Sequence, residues 1–545
     1  MSTAAPDTEP RAKASATLLE RLLLRGGPAR TVHRDVRIPM RDGVELLADH
    51  YAPDGEAKGT VLVRSPYPPV VGLISAGTYI TAGYHVVLVR CRGTAGSGGT
   101  FRPMEHEVDD GADTVAWLRE QPWFGGRFAT VGASYLGFTQ WALLMDPPPE
   151  LATAIIQVGP HDLSRSVYAG GAFSLNDFLG WSDQVAHQDQ YGLPRTVLRM
   201  VTATRRQAPA MAQLPLVQGG ADLTGDNAPW YPDWVGHRDL TDPFWAPMQL
   251  GAALDRVQVP VLLLGGWQDL FLRQTVEQYA HLHGRGLDVA MTIGPWTHTN
   301  ANRADARMLA REGLDWLAEH LGGVGSRLRW SPVRVFVTGL GEWRELPEWP
   351  PPSTEQVLHP GPAGSLGVEP APDGSAPVTF TYDPTDPTPT VGGRLLAATT
   401  AGYRDDTALA RRADVRTFDT APLASPLEVV GTPVVELAHT SDNPHADLFV
   451  RISEVDRKGR SRNVSDGFVR LDADGTDRTV SIDLDPIAHR FAAGNRIRLL
   501  VAGGSFPRWE RNLGTGEDPA RSSRTAPSRR TIALAGSRVV LPVRT

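Results

Sequence analysis

The stretch "TVGASYLGFTQW", residues 130–141, decides how the chain is organised, because one serine joins a strand-like run to a helical one. The preceding "RFATVG" reads as a buried strand, and the following "LGFTQWALLM" has helical spacing. Ser134 therefore lies where an elbow of the pattern G-x-S-x-G presents a nucleophile. Gly132 fits that pattern, but the second glycine, Gly137, comes one position late.

Strands alternate with helices on both sides of this elbow. Before it come "GTVLVRSPYP", "YHVVLVRCRG" and the helical "VDDGADTVAWLREQ", and after it come "LATAIIQVG", "VPVLLLGGWQD" and "LDVAMTIGPWTH". This alternation indicates a mainly parallel sheet covered by helices. Nearer the start, two strand-like runs flank Asp42 and Gly43, which predicts a β-hairpin.

The alternation is interrupted once and later stops. A long helical and aromatic stretch from His161 to about Leu254 is typical of a cap inserted into a core. Beyond about Gly322, short alternating runs such as "SPVRVFVTG" and "ADLFVRISEV" are separated by turn residues, which predicts a β-sandwich. We therefore divide the chain into a tail with a short helix (1–28), a core (29–159 and 256–321), a helical cap (160–255) and a β domain (322–545).

Composition argues against several classes of partner. The net charge of −7 comes from 61 acidic and 54 basic residues spread along 545 positions, without the basic stripe that nucleic acid requires. No apolar run approaches the roughly 20 residues of a membrane span. The single cysteine, Cys91, excludes an internal disulfide framework and reads as a small buried side chain.

The N-terminal sequence lacks the basic start, apolar core and cleavage site of a secretory signal, so we expect a cytoplasmic protein. Within it, "ATLLERLLLR" places four leucines near one helical face: Leu18, Leu19, Leu22 and Leu23. We expect this face to dock on the body of the protein or on a partner subunit rather than on a membrane. Docking on a partner subunit would make the protein a homodimer.

A serine nucleophile needs an imidazole base and a carboxylate that orients the imidazole. In the α/β-hydrolase arrangement these follow in the chain order Ser, Asp, His, each after a strand of the sheet. Asp269 ends the strand "VPVLLLGGWQD" and His298 ends "VAMTIGPWTH", which is the required order. Taken singly, Ser134 and Asp269 fit helix N-caps equally well and His298 fits a packing histidine, so the prediction of a triad rests on the ordered set.

Other chemistry has little support in the sequence. The glycine-rich "RGTAGSGG" is neither G-x-G-x-x-G nor followed by the Lys-Ser/Thr of a P-loop, so it predicts a tight loop. No Cys/His or HExxH spacing suggests a metal site. The triad chemistry requires no metal and no cofactor, and we expect none.

Several motifs together resemble the cocaine-esterase-like acyl hydrolases of the X-Pro dipeptidyl-peptidase family. These are "GASYLG", "GGWQDLF", "GPWTH" and "RSPYP", supported by "IPMRDGVEL", "RGTAGSGGTF", "ADLFVRISEVDRKGR" and "SFPRWERNLGTG". The late glycine belongs to the G-x-S-Y-x-G elbow of that family. The resemblance covers nearly the whole chain and implies an α/β-hydrolase core, an inserted helical cap and a C-terminal jelly-roll β-sandwich domain.

The resemblance also implies roles for single residues. Ser134 corresponds to the nucleophile, His298 to the general base and then acid, and Asp269 to the carboxylate that orients it. The oxyanion hole corresponds to the backbone N–H of Tyr135 and the hydroxyl of Tyr67. A buried packing tyrosine is the alternative for Tyr67.

One departure from the family lies beside Tyr67. Pro68 and Pro69 stand where relatives often carry polar or basic residues, which leaves the shape of that pocket wall open. For the substrate pocket itself the candidates are the aromatic residues Phe271, Trp181 and Trp267, with core packing as the alternative for each.

The predicted function is that of a serine-dependent hydrolase. We expect it to cleave small-molecule carboxylic esters or related amides through an acyl-enzyme intermediate. An alternative is an X-Pro dipeptidyl-peptidase or α-amino-acid ester hydrolase, which needs a carboxylate for a free α-amine. The acidic residues of the cap, including Asp177 and Asp183, are expected to form a solvated face, and binding of such an amine by one of them is the alternative. A third interpretation is a binding protein with an inert core, and the complete set of catalytic residues argues against it.

Overall fold

The computed structural model describes residue 20 and residues 24–188, 193–323, 329–471 and 477–544. The leucine face predicted in the N-terminal segment lies outside these residues. Its docking, and the homodimer that would follow from it, therefore stay predictions.

A ten-stranded sheet forms the centre of the N-terminal part. Its first six strands are β1 (Arg30–Pro39), β2 (Glu45–Pro53), β3 (Thr60–Ser65), β4 (His85–Arg90), β5 (Phe128–Ala133) and β6 (Leu151–Gln157). The helices among them are α1 (Pro69–Ala82), α2 (Glu107–Arg119) and α3 (Tyr135–Leu143). Strands β1 and β2 pair antiparallel around Asp42 and Gly43, which confirms the predicted hairpin.

A helical segment follows β6, and its helices span residues 164–256, which corresponds to the interval 160–255 predicted for the cap. Its helices are α4 (Ser164–Val167), α5 (Leu175–Val185), α6 (Leu193–Ala212), α7 (Leu216–Thr224), α8 (Trp230–Gly236) and α9 (Ala253–Arg256). Its buried aromatic rings, such as Trp234 and Trp245, belong to the same apolar cluster as the central sheet. The cap is thus held on the core by shared apolar packing.

The sheet then resumes with β7 (Val261–Gln268), β8 (Val289–Thr297), β9 (Val333–Val337) and β10 (Glu342–Leu346). The accompanying helices are α10 (Leu272–Gly284), α11 (Ala301–Ala304) and α12 (Ala306–His320). The spatial order is β1-β2-β4-β3-β5-β6-β7-β8-β9-β10, and every pair from β4 to β9 is parallel. The predicted parallel sheet is confirmed.

The central sheet continues past residue 322, where we predicted the β domain to begin. The run "SPVRVFVTG" was expected to open the β domain, but its strand β9 pairs with β8 through Val333 and Met291 and extends the core. Buried and partly exposed side chains alternate along β9. A strand near the end of a sheet has one open face, so it alternates just as a sandwich strand does.

The C-terminal domain is built from strands, as predicted. They are β11 (Ser353–Gly361), β12 (Ser365–Gly367), β13 (Val378–Tyr382), β14 (Val415–Asp419), β15 (Leu427–Gly431), β16 (Val434–Ser441), β17 (Asp447–Val455), β18 (Ser461–Arg470), β19 (Asp477–Asp483), β20 (Ile487–Phe491), β21 (Arg496–Ala502) and β22 (Ser528–Arg544). Strand β11 joins the two layers, because it pairs with β22 along one half and with β12 along the other. A second apolar cluster, which includes Phe418, Val450 and Leu541, fills the space between the layers.

The topology brings the ends of four strands together at one edge of the core. Tyr67 follows β3, Ser134 follows β5, Asp269 follows β7 and His298 follows β8. Strands β3 and β5 are neighbours, as are β7 and β8, and β6 alone separates the two pairs. Carboxyl ends of parallel strands are where open α/β sheets place their sites.

Across the described ranges, no helix combines the length and the apolar character needed to cross a bilayer. The cytoplasmic location stays a prediction.

Candidate active site

The elbow at Ser134 is a strained turn between β5 and α3. Its backbone has φ 61° and ψ −121°, a conformation that a residue with a side chain adopts only when its surroundings hold it. The N–H of Ser134 donates to the carbonyl of Gln157 in β6 at 2.9 Å, and its carbonyl accepts from Gly137 and Phe138 at 2.8 and 3.0 Å. These bonds fix the turn and leave the Ser134 hydroxyl at the edge of the sheet.

The glycines of the elbow are explained by close approaches. A Cβ on Gly132 would lie 2.4 Å from the Cβ of Leu136, so the turn cannot form with a larger residue there. A Cβ on Gly137 would lie 2.5 Å from the Cα of Gly159, just after β6. The tight contact with the neighbouring strand end thus falls at Gly137, which is why the second glycine stands one place later than in the common pattern.

Ser134, His298 and Asp269 form a continuous chain of hydrogen bonds. Nε2 of His298 lies 2.9 Å from Oγ of Ser134, and Nδ1 lies 2.5 Å from Oδ2 of Asp269. The other carboxylate oxygen of Asp269 accepts the backbone N–H of Phe271 at 2.7 Å. Asp269 is fully buried, so these bonds fix the carboxylate and, through it, the imidazole.

Tyr67 places its hydroxyl beside the elbow. It accepts a hydrogen bond from Nε1 of Trp181 at 3.0 Å. Burial raises the pKa of the Tyr67 phenol, and the nearby side chains of Trp181 and Ser134 only partly oppose this shift. The phenol therefore keeps its proton and can donate it in a hydrogen bond.

The two prolines after Tyr67 have a local structural reason. Pro68 is the N-cap of α1, and Pro69 is its first residue. Proline is favoured at the start of a helix because its fixed φ suits the first turn and its missing N–H would have no partner there. The departure from the family pattern is thus the beginning of α1.

Tyr135 contributes differently through its backbone and its side chain. As the first residue of α3, it has an N–H with no carbonyl one turn earlier to bond. Its buried hydroxyl accepts from the N–H of Met104 and donates to Oε1 of Glu107, both at 2.8 Å. Glu107 in turn pairs with buried Arg64 at 2.5 Å, so the Tyr135 ring is held in place through its hydroxyl.

The three predicted pocket aromatics divide into two groups. The ring of Phe271 meets His298 edge-on at 5.4 Å, and the ring of Trp181 stacks on Tyr135 at 6.3 Å. Both rings therefore lie beside residues of the predicted site. Trp267 instead donates its indole N–H to the carbonyl of Phe336 at 2.7 Å and packs against Trp349. That hydrogen bond directs the indole toward β9, and the pocket roles of all three aromatics stay predictions.

The two cap carboxylates also differ. Asp183 pairs with Arg199 and Arg206 and accepts a bond from Gln207, so it is satisfied inside the cap. One oxygen of buried Asp177 accepts the backbone N–H of Leu396 at 2.7 Å. Burial raises the pKa of Asp177.

Asp177 lines a cavity of about 240 Å³ between the cap, α10 and the β domain, whose wall also includes Leu270 and Arg394. Leu270 follows Asp269 in the chain, so the cavity lies on the acid side of the triad.

The β domain contributes contacts that the sequence did not predict. Arg394 donates to the carbonyl of Leu270 at 2.8 Å. A Cβ on Gly402 would lie 3.0 Å from Cγ2 of Thr297, the residue before His298. The loop that carries Arg394 and Gly402 therefore packs on both chain segments that carry Asp269 and His298.

A metal ion has one candidate location in the described part of the chain, and it is not at the triad. Asp288, Glu319 and His320 bring ligand atoms within 4.8 Å of one another near the end of α12. All three are at least partly exposed, and such groups are common without an ion.

Comparisons with known proteins agree with this architecture. Residues 42–300 match the X-Pro dipeptidyl-peptidase (S15) family, and residues 328–538 match the C-terminal non-catalytic domain of X-Pro dipeptidyl-peptidases. Cocaine esterase from Rhodococcus sp. (strain MB1 Bresler) is 30% identical over 551 residues, covering 90% of this chain and 94% of that protein.

Solved structures share the fold over its full length. An aminopeptidase from the marine sediment archaeon Thaumarchaeota archaeon has a TM-score of 0.82 at 22% identity, and an α-amino acid ester hydrolase has a TM-score of 0.81 at 21% identity. Both cover 100% of each chain. At such low identity these likenesses establish the fold alone.

The α/β-hydrolase core and these relatives make the chain an enzyme, a serine hydrolase. It belongs to the X-Pro dipeptidyl-peptidase (S15) family, which confirms the resemblance seen in its motifs.

Proposed function

We propose that the enzyme cleaves small carboxylic esters through an acyl-enzyme intermediate, with Ser134, His298 and Asp269 as the catalytic triad. The observation that carries the proposal is the hydrogen-bonded chain from the Ser134 hydroxyl through His298 to buried Asp269. Because Nδ1 of His298 faces a carboxylate, its proton stays on that nitrogen and Nε2 is free to accept the serine proton.

The reaction then follows from the positions of the side chains. Oγ of Ser134 attacks the ester carbonyl while Nε2 of His298 takes its proton. The oxygen of the tetrahedral intermediate becomes an anion, for which the N–H of Tyr135 and the hydroxyl of Tyr67 are the donors. Collapse of the intermediate transfers the proton from His298 to the departing alcohol, and water, activated by the same imidazole, releases the acid from Ser134.

An ester with an apolar or aromatic acyl or alcohol group suits the walls of this site. The Phe271 ring against His298 and the Trp181 ring against Tyr135 present apolar surface on two sides. Such surface favours aromatic and aliphatic groups over charged ones. The curated relative at 30% identity is named for an ester substrate, which supports an ester rather than a peptide as the substrate.

A second candidate is hydrolysis of esters or amides that carry a free α-amine. It is supported by Asp177, a buried carboxylate that lines the cavity beside Leu270. An ammonium group there would donate a charge-assisted hydrogen bond to Asp177, but Arg165, Arg273, Arg394 and Arg508 line the same cavity and repel a cation, so this candidate ranks second. The two candidates differ in whether an amine next to the ester improves the substrate.

The test combines covalent labelling with a matched substrate series. A fluorophosphonate should modify the tryptic peptide that contains Ser134, as read by mass spectrometry, and prior labelling should abolish ester hydrolysis. A phenylacetyl ester and its α-amino analogue should then be compared by kcat/KM, with Asp177→Asn as the variant. Failure to label Ser134 would refute the triad, whereas a preference for the amine that Asp177→Asn removes would establish the second candidate.

A further inference from the structure

The Tyr67 hydroxyl is held by a residue of the cap. Trp181 belongs to α5, and its Nε1 lies 3.0 Å from the phenolic oxygen. Tyr67 itself belongs to the loop after β3 of the core. The two residues are 114 positions apart in the chain, so the contact exists only when the cap is packed on the core.

The direction of this hydrogen bond is unambiguous. An indole N–H can only donate, so the oxygen of Tyr67 must be the acceptor. A phenol has a single proton, so with its oxygen accepting from Trp181 the Tyr67 hydroxyl still has that proton to donate, and its ring lies against Tyr135, the residue after Ser134. A hydroxyl that accepts one hydrogen bond also donates more strongly in the next.

Trp181 is itself fixed by aromatic packing. Its ring stacks on Tyr135 at 6.3 Å with an interplanar angle of 13°, and on Trp234 at 5.6 Å with an angle of 29°. Trp230 packs against it at 6.0 Å and donates its own indole N–H to Ser182. The N–H of Trp181 is therefore aimed by a stack that includes the residue whose backbone provides the other oxyanion donor.

We propose that Trp181 is a positioning residue that orients and polarises the Tyr67 hydroxyl, so that the cap completes the oxyanion hole. The inference rests on the proposed function, since it requires Tyr67 to be an oxyanion donor. This role differs from lining the pocket. A Trp181 ring that only lined the pocket would affect substrate binding, whereas a Trp181 that orients Tyr67 affects the rate of the chemical step.

A double-mutant cycle tests this role. The acylation rate is measured in single turnover with a chromogenic ester for the parent, Trp181→Phe, Tyr67→Phe and the double variant. Trp181→Phe should slow acylation by about 3- to 10-fold, the range of one neutral hydrogen bond. In the Tyr67→Phe background the same change should alter the rate by less than about twofold, because the partner oxygen is gone.

Two further variants separate the N–H from the shape of the ring. Replacing the Trp181 side chain by its benzothiophene analogue keeps the bicyclic shape but removes the N–H, and it should slow acylation as Trp181→Phe does. Trp245→Phe removes an indole N–H from another part of the cap, where Trp245 donates to the carbonyl of His237, and it should keep the parent rate. Thermal unfolding of each variant shows whether a rate loss reflects damage to the fold.

The outcomes are distinct. Equal losses from Trp181→Phe with and without the Tyr67 hydroxyl, or a parent-like rate for the benzothiophene variant, would overturn the positioning role and leave the proposed function standing. An unchanged rate in Tyr67→Phe would overturn both the oxyanion role of Tyr67 and this inference. The labelling of Ser134 would be unaffected by that result, so the nucleophile is tested separately.

Discussion

Gly137 and Gly159 meet through their backbones, because a Cβ added to Gly137 would lie 2.5 Å from the Cα of Gly159. Gly137 lies in α3, where alanine normally stabilises a helix by up to about 1 kcal/mol relative to glycine. The obstructing atom is backbone and cannot rotate away, so overpacking of about 1–3 kcal/mol outweighs that gain.

We therefore expect Gly137→Ala to lower the free energy of unfolding by up to about 2 kcal/mol. Gly236→Ala is the matched control, since Gly236 also lies in a helix and a Cβ there would meet nothing within 4 Å. Denaturant titration of both variants gives the comparison. Equal stability of the two would mean that the contact with Gly159 does not constrain the elbow.

A second prediction concerns the nucleophile. Ser134→Ala should reduce ester hydrolysis by at least about 10⁴-fold while the thermal midpoint stays close to that of the parent. The side chain contributes one hydroxyl at the edge of the sheet and little packing. Hydrolysis within tenfold of the parent, after removal of contaminating esterases, would contradict the assignment of Ser134.

The pH dependence of the rate tests His298 and Tyr67 together. kcat/KM should fall on acidification, because a protonated imidazole cannot accept the serine proton. It should stay level from about pH 8 to at least pH 10, because burial raises the pKa of the Tyr67 phenol above its ordinary value of 10.0 and the proton is retained. A fall near pH 9 that disappears in Tyr67→Phe would contradict this description of the phenol.

Much of this site was predictable because it depends on strand order alone. Ser134, Asp269 and His298 each follow an apolar strand, and parallel strands bring such ends to one edge regardless of the intervening cap. The direction of a side chain is not carried by such a pattern. Trp181 and Trp267 were both predicted to line the pocket because they are aromatic. Trp181 donates its indole N–H to Tyr67, whereas Trp267 donates its own to Phe336 in β9.

Contacts between distant segments were out of reach for the same reason. Arg394 and Gly402 pack beside Leu270 and Thr297, but nothing in their local sequence marks them as neighbours of the triad. The strand of Val333–Val337 was expected in a sandwich sheet but pairs with β8 of the central sheet, because alternation reports one exposed face and does not report which sheet the strand joins.

The fourth prediction concerns stability in acid. Burial and the nearby Arg530 lower the pKa of His439 to about 4, and neither ring nitrogen has a hydrogen-bond partner within the described residues. In the unfolded chain its pKa is about 6.5. Between these values the unfolded state binds the extra proton, so stability present above about pH 6.5 is lost as the pH falls toward 4.

The variant His439→Leu removes this titration from the interior of the β domain. Relative to the parent, its free energy of unfolding should improve by about 2 kcal/mol between pH 7 and pH 5. Denaturant unfolding at the two pH values measures the change, and a parent–variant difference that does not vary with pH would show that His439 does not titrate differently in the two states.

The last prediction sets two neighbouring tyrosines against each other. The rings of Tyr67 and Tyr135 are 6.4 Å apart, but the Tyr135 hydroxyl is engaged by Met104 and Glu107, whereas the Tyr67 hydroxyl accepts from Trp181 and keeps its proton free to donate. Tyr67→Phe should lower kcat by about 10²- to 10³-fold with little change in KM, because the lost hydrogen bond strengthens only as the carbonyl oxygen becomes charged. Its thermal midpoint should change little, since the ring remains.

Tyr135→Phe should behave in the opposite way. It leaves the backbone N–H of Tyr135 in place, so kcat should stay within about threefold of the parent. It also removes the partner of the Met104 N–H and of the Glu107 carboxylate in a buried setting, which should cost about 1–3 kcal/mol of stability. Measuring kcat and the free energy of unfolding for both variants should show a rate loss in Tyr67→Phe and a stability loss in Tyr135→Phe. A large rate loss in Tyr135→Phe with unchanged stability would mean that its hydroxyl, rather than its N–H, takes part in the reaction, and it would overturn the assignment of the two donors.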